Sequence, residues 1–294
     1  MTDEPRLDAV EALSVRGGVA TRADLLTLTT RHRLQAAVAD GRVVEVRRSV
    51  YRLPVLDRDR REAARLRGVL SHLSAARDHG WEVPPDERCW VTVHRGRHAL
   101  GPAGGVELFY ADLAGEHGPA TSPVRTVLDC GRRLPFPTAL AVADSALRHG
   151  VERDALDRAA RQVRGKGGPA VRRVVAAASP LAANPFESVL RGIALEAGLD
   201  AVPQGGVEVG GLGLTGGDPE VVHPDVVDRE RRIVLEADSW EFHSDKEAFQ
   251  RDCWRYTVLV AHGWLVLRFT WWQVMLHPGW VRECVRRAVD RAAA

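Results

Sequence analysis

The strongest constraint on how this 294-residue chain folds is the run Ile233-Val234-Leu235-Glu236-Ala237-Asp238, where three consecutive aliphatic residues lead straight into two acids. An unbroken apolar run of this kind reads as a strand covered on both faces. An ionised carboxylate within it is costly unless it is paired or bound to a metal. Upstream, Val221 and Val222 lead into Asp225, and the polar segment from Asp228 to Arg231 separates them from the run, which predicts a β-hairpin. With the turn centred between Arg229 and Glu230, Asp225 lies opposite Val234. Glu236 is then its diagonal same-face neighbour at about 7 Å. Two carboxylates so placed point to one shared cation, Mg²⁺ or Mn²⁺; the bland alternative is a hairpin whose strand-end acids face water.

The flanking segments fix an order of elements. Asn184-Pro185 opens a helix, Phe186 to Ala197, with Glu187 in its first turn and Gly198 closing it. Downstream of the hairpin, Phe249, Trp254, Val258, Leu259 and His262 recur near helical spacing before Gly263, and Trp264 to Phe269 reads as a strand. The glycine-rich piece 205–217 is taken as the first strand of this region plus a loop. The order is α, three β, α, β, α.

That order, with Glu187 on the first helix, Asp225 on the second strand and Glu-x-Asp on the third, resembles the PD-(D/E)XK nuclease superfamily. More narrowly, NPFESVLRGIALEAGL, HPDVVDRERRIVLEADSWEFH, RDCWRYTVLVAHGW and VLRFTW resemble its very-short-patch-repair-like endonuclease branch. The resemblance implies that Asp225 and Glu236 ligate Mg²⁺ (or Mn²⁺), with the Ala237 carbonyl and Glu187 completing an oxygen shell, and that the ion supports phosphodiester hydrolysis. One position departs from the signature: where the superfamily usually carries lysine, this chain has Asp238. Lys166 and Lys246 are its only lysines, and neither stands there. Proton transfer is therefore assigned to His243 and, second, to Asp238, with a surface histidine as the alternative for His243. Arg255, three residues after Asp252, is either half of a surface ion pair or, with Arg268, a contact to a DNA phosphate. Six of the eight tryptophans lie in this region; most are expected in the core, with Trp240 a candidate wedge against a base.

The N-terminal end also points to nucleic acid. Thr21 and Thr30 stand as caps before two short helices, Gly41 ends the second, and two strand-like segments, 42–46 and 49–53, follow around Arg47-Arg48. This is the layout of a small winged helix. Arg31, His32 and Arg33 open its second helix, where side chains would reach the major groove. Arg42, Arg47, Arg48 and Arg52 are candidates for flanking phosphates. The alternative is solvated arginine in an arginine-rich chain. ADGRVVEVRRSVYRLP resembles the N-terminal winged helix of AbiEi-type antitoxins, DNA-binding autoregulators, and the middle of the chain broadly resembles the body of such regulators.

Between these ends, residues 65–178 alternate helical and strand-like segments with no self-contained chemistry. His72, beside Ser71 and Ser74, lacks a nucleophile elbow and reads as a buried, hydrogen-bonded histidine. The four cysteines, Cys89, Cys130, Cys253 and Cys284, show no paired spacing and are expected to be buried thiols rather than zinc ligands or disulfides. No phosphate-cradling loop or dinucleotide fingerprint appears, so no nucleotide cofactor is expected. With 45% hydrophobic and 27% charged residues, the composition fits a globular protein without a membrane partner. The acidic start, MTDEPRLDAVEAL, lacks an apolar signal core and predicts a cytoplasmic location. A net charge of +2 does not by itself indicate DNA, so the partner DNA rests on local arginine clusters.

The expected fold class is α/β, in an α+β multidomain arrangement: a winged helix at 1–60, a mixed α/β region at 61–163, a linker helix at 164–183, and a PD-(D/E)XK-like αβββαβ core at 184–294. The expected function is that of a DNA-binding, divalent-metal-dependent endonuclease (deoxyribonuclease). The alternative is a non-catalytic transcriptional regulator or antitoxin-like protein with a degenerate nuclease fold.

Overall fold

The computed structural model describes residues 7–15, 19–97, 101, 104–210, 220–238 and 246–293. Helices and small sheets alternate along the chain, which is mixed α/β, and it divides into two compact units, Met1–Pro180 and Leu181–Ala294. The division falls inside the segment expected as a linker. Among the described residues, no helix is long and apolar enough to cross a membrane.

The first unit begins with α1 (Ala9–Val15), β1 (Val19–Thr21), α2 (Arg22–Leu28), α3 (Arg31–Ala39), β2 (Val44–Arg47) and β3 (Val50–Arg52). Thr21 and Thr30 cap α2 and α3, each hydroxyl accepting a backbone N–H from three residues on. The strands pair antiparallel in the order β1-β3-β2. Leu13, Leu25, Leu34, Val43 and Tyr51 are buried together, so the helices and the sheet share one core.

Next come α4 (Val55–Arg65), β4 (Val69–Leu70), α5 (His72–Asp78), β5 (Cys89–His94) and β6 (Val106–Ala111), with the sheet order β4-β5-β6. Four helices follow: α6 (Pro123–Arg133), α7 (Phe136–Arg148), α8 (Arg153–Gln162) and α9 (Gly168–Ala177). The segment read as a linker thus contains α9, whose Val171, Val174 and Val175 are buried. A Cβ on Gly131 of α6 would lie 3.2 Å from the Val171 Cα, so any larger residue would push α6 and α9 apart by a few tenths of an ångström.

His72 is buried, as expected for a histidine without catalytic partners. Its Nδ1 is 2.9 Å from the Ser71 hydroxyl and its ring lies against Phe109 at 4.3 Å. Burial, then the charges of Arg133 and Arg125, lower its pKa to about 3, so it stays neutral. Ser74 belongs to a separate buried network, donating to Asp59 beside Arg77.

The second unit comprises α10 (Pro185–Glu196), β7 (Val202–Pro203), β8 (Val207–Val209), β9 (Glu220–Val222), β10 (Val226–Asp228), β11 (Ile233–Asp238), α11 (Lys246–Ala261), β12 (Leu265–Thr270), α12 (Trp271–Leu276) and α13 (Pro278–Ala292). The sheet order is β12-β11-β10-β7, with β11 and β12 parallel and the other pairs antiparallel. Parallel pairing requires a crossover, which α11 supplies. Val227, Val234, Val258 and Leu259 form its core with Val207, Val209 and Val222.

The structure corrects two strand expectations here. The first sheet strand is β7, upstream of the glycine-rich piece, and β8 pairs instead with β9 in a separate two-stranded ribbon. The strand expected to run from Val221 to Asp225 is broken at Pro224, which has no N–H to donate to a ladder.

Candidate metal centre and nucleic-acid interface

The β10–β11 register pairs Val226 with Leu235, Val227 with Val234 and Asp228 with Ile233. The loop is therefore 229–232, and continuing the register places Asp225 directly opposite Glu236 rather than diagonal to it. This moves the centre of the turn by one residue and the register by two. Two causes are visible: the Asp228 carboxylate accepts the Arg231 N–H at 3.0 Å, and Arg232 adopts a left-handed backbone with φ 51°. An even shift leaves each side chain on its expected face, so the two acids still converge.

Asp225 is half-buried and held firmly. Its Oδ2 accepts the Ala237 N–H at 2.7 Å and its Oδ1 accepts the Gln204 amide at 3.1 Å. Glu236 is 2% exposed. Its Oε2 lies 3.4 Å from Arg255, while Oε1 is buried and has no hydrogen-bond partner among the described residues. Burial first, and the Asp225 charge second, push Glu236 up to about 8. Asp225 is also raised, chiefly by burial. With both carboxyls raised, the pair holds on to a proton that exposed carboxyls would give up.

Glu187, the third expected ligand, is linked to this pair rather than placed beside it. Asn184 caps α10, accepting the Glu187 N–H at 3.0 Å, while its own amide donates to Glu187 Oε1 at 2.9 Å. Glu187 Oε2 accepts the Ala183 N–H at 2.7 Å and the Gln204 amide at 3.1 Å. Gln204 Nε2 thereby bridges Glu187 and Asp225. Among the described residues, no three His, Cys, Asp or Glu side chains form a group able to hold one metal ion. The arrangement is an acid pair with a tethered third carboxylate.

Gln204 escaped the sequence reasoning. Its backbone has φ 50°, uncommon for a residue with a side chain, and its N–H donates to the Asp225 carbonyl at 3.1 Å. The available signal was an amide residue wedged between Pro203 and Gly205-Gly206, a turn that fixes a polar side chain without periodicity.

Asp238 is turned to another partner, an ion pair with Arg268 at 2.5 Å. The Arg268 guanidinium lies 4.1 Å from the centre of the Tyr256 ring. Arg255 reaches Glu236 at 3.4 Å, Asp252 at 3.6 Å and the Tyr256 hydroxyl at 3.0 Å. Both the ion pair with Asp252 and the position beside the acids are therefore present together. His243 and Trp240 lie outside the described residues, as does the Lys246 side chain. The expectation of mostly buried tryptophans is corrected: Trp254 and Trp264 pack on the core, whereas Trp272 and Trp280 are more than half exposed. Cys253 is exposed and Cys284 half-buried, which corrects the expectation of four buried thiols.

In the first unit, Arg31 and Arg33 open α3 and are exposed, with Arg33 also donating to the Leu7 carbonyl at 3.3 Å. Arg42 is held by Asp8 at 3.0 Å and Asp40 at 3.5 Å, so its charge is partly neutralised. Arg48 is exposed and Arg52 half-buried, and the Arg47 side chain lies outside the described residues.

No family model matches the chain. Two uncharacterized proteins of Mycobacterium tuberculosis, from strains CDC 1551 / Oshkosh and H37Rv, are each 29% identical over 175 residues, which is 59% of this chain. The match spans 62% of the length of these relatives. The crystal structure of RV2827C protein from Mycobacterium tuberculosis aligns at 15% identity over 71% of this chain and 90% of that one, with a TM-score of 0.28.

Proposed function

We propose that this protein is a DNA-binding, divalent-metal-dependent endonuclease, with Asp225 and Glu236 as its metal ligands. The observation that carries the reading is the opposed acid pair: a carboxylate buried to 2% exposure, with one orphaned oxygen, facing a second carboxylate across a strand pair. Hard oxygen donors of this kind suit Mg²⁺, which usually keeps several waters and takes only one or two protein carboxylates. A bound Mg²⁺ or Mn²⁺ supplies Lewis acidity toward a phosphodiester and a water of lowered pKa. The chain's own residues do the positioning. Gln204 and the Ala237 N–H fix Asp225, the α10 cap fixes Glu187 behind Gln204, and Arg255 holds positive charge beside Glu236. The guanidinium of Arg255 would suit a phosphate oxygen.

In the first unit, α2 and α3, preceded by β1 and followed by β2 and β3 in one β1-β3-β2 sheet, support the winged-helix reading, with Arg31, Arg33 and Arg48 exposed. A second reading, a non-catalytic regulator built on a degenerate nuclease fold, is favoured by two observations: Arg255 already gives Glu236 a protein cation, and Asp238 stands where the signature lysine is expected.

Plasmid and mismatched duplex incubated with Mg²⁺ or Mn²⁺ separate the two. Nicking or cleavage by the wild type that disappears in Asp225→Ala and Glu236→Ala supports the enzyme. Retained DNA binding without cleavage under either metal supports the regulator.

A further inference from the structure

Beside the β10–β11 loop, a shallow cavity of about 320 Å³ is lined by Arg231, Arg232, Trp264, Leu265, Ala288 and Arg291, among others, and no acidic residue contributes to its lining. Three arginines from two separate segments, the 229–232 loop and α13, line it. Arg231 is tied to the buried Asp228 at 2.9 Å. Arg232 has a single long hydrogen bond, 3.4 Å to the His262 carbonyl, and is exposed. Arg291, in the last turn of α13, is exposed and has no hydrogen-bond or ion-pair partner among the described residues. The cavity lining therefore carries more positive charge than its one paired acid, Asp228, offsets.

A second observation points the same way. Arg232 sits at φ 51°, a conformation that glycine or asparagine adopts far more cheaply. Its carbonyl accepts the Leu265 N–H at 2.9 Å, which locks that backbone at the start of the β11–β12 ladder. Local strain of this kind persists where the surrounding structure over-determines it, and it concentrates at binding sites. Here it falls on an exposed arginine that lines the cavity.

We propose that Arg231, Arg232 and Arg291 form an anion site for a phosphate-bearing ligand. Guanidiniums match phosphate oxygens through paired N–H donors, and a set of three with one acid between them leaves charge to be neutralised. The ligand is either a phosphate of a nucleic-acid backbone or the phosphate of a free nucleotide. The site is distinct from the acid pair: Ile233 stands three residues before Glu236 on β11, about 10 Å along the strand. It does not depend on the metal reading.

The test uses the full chain with a chelator present, so that cation binding plays no part. Wild type and the double variant Arg232→Gly, Arg291→Ala are titrated with inorganic phosphate, 5′-dAMP and a short duplex. Glycine keeps the left-handed backbone, so the thermal midpoint should not fall. Saturable binding of phosphate and 5′-dAMP, weakened about tenfold in the double variant, supports the site with a free ligand. Binding of duplex alone, weakened about tenfold and with a salt slope smaller by about 2 in the double variant, supports it with a backbone phosphate. No saturable binding of any of the three, or equal affinity in wild type and variant, overturns it.

Discussion

Replacing Glu236 with glutamine probes the acid pair through the pH dependence of stability. In the folded chain the Glu236 carboxyl is raised from 4.5 to about 8, first by burial and then by the Asp225 charge. In the unfolded chain it loses its proton above its ordinary value. Between pH 4.5 and about 8 the native state therefore binds the extra proton, and the free energy of unfolding falls as pH rises. One proton corresponds to about 1.4 kcal/mol per pH unit, so the wild type gives up on the order of 5 kcal/mol across that window. Glutamine keeps the shape of the protonated acid and does not titrate. The variant should lose most of this slope and be more stable than wild type at the alkaline end. A residual slope just above the ordinary range of an aspartate remains, because Asp225 is itself raised.

Urea unfolding with a chelator present reads the effect directly. Six of the eight tryptophans lie after residue 181, so indole fluorescence reports mainly on the unit that holds the pair. Parallel pH slopes in wild type and Glu236→Gln would refute the reasoning, because Glu236 would then ionise as easily folded as unfolded. Adding Mn²⁺ near pH 8 should restore stability to the wild type, by about 2.7 kcal/mol at a hundred times the dissociation constant, and restore much less to the variant.

Other perturbations test the remaining parts. Gln204→Leu removes the donor shared by Glu187 and Asp225; it should cost about 1–3 kcal/mol in urea unfolding and weaken Mn²⁺ binding with helix content by circular dichroism unchanged. Arg31→Ala and Arg48→Ala should each lower duplex affinity and reduce the salt slope by about 1, measured by anisotropy, whereas an unchanged slope would place neither on DNA. His72 is held neutral with a pKa of about 3, so its contribution is present above its unfolded value and is lost as pH falls from about 6.5 toward 3. His72→Asn, which tolerates the φ of 48° there, should flatten the acid limb of stability against pH by about 1.4 kcal/mol per unit.

Much of the second unit was legible because its signals are local. The aliphatic run into Glu236 marked a covered strand, Asn184 and Gly198 bracketed α10, and Gly263, at φ 79°, marked the end of α11. The register was harder. Periodicity fixes which face a residue takes, but the loop length depends on Asp228 bonding the Arg231 N–H and on the left-handed Arg232, neither of which periodicity reports. The convergence of Asp225 and Glu236 survived because the two-residue error is even. Gln204 was illegible for a related reason: its role comes from a turn that folds it back between two carboxylates distant in sequence. Tertiary packing decided α9 and the tryptophans. A basic segment between glycines reads as a connector until Val171 meets Gly131, and Trp272 and Trp280 read as core until α12 and α13 leave them at the surface.

The central claim is that Asp225 and Glu236 together hold one divalent cation, and Mn²⁺ binding followed by electron paramagnetic resonance tests it most directly. Titrating the full chain near pH 8, the account predicts one saturable Mn²⁺ per chain in the wild type. It also predicts loss of that site in both Asp225→Asn and Glu236→Gln, with fold retained. Equal Mn²⁺ binding in wild type and both variants, or none in the wild type, would contradict it.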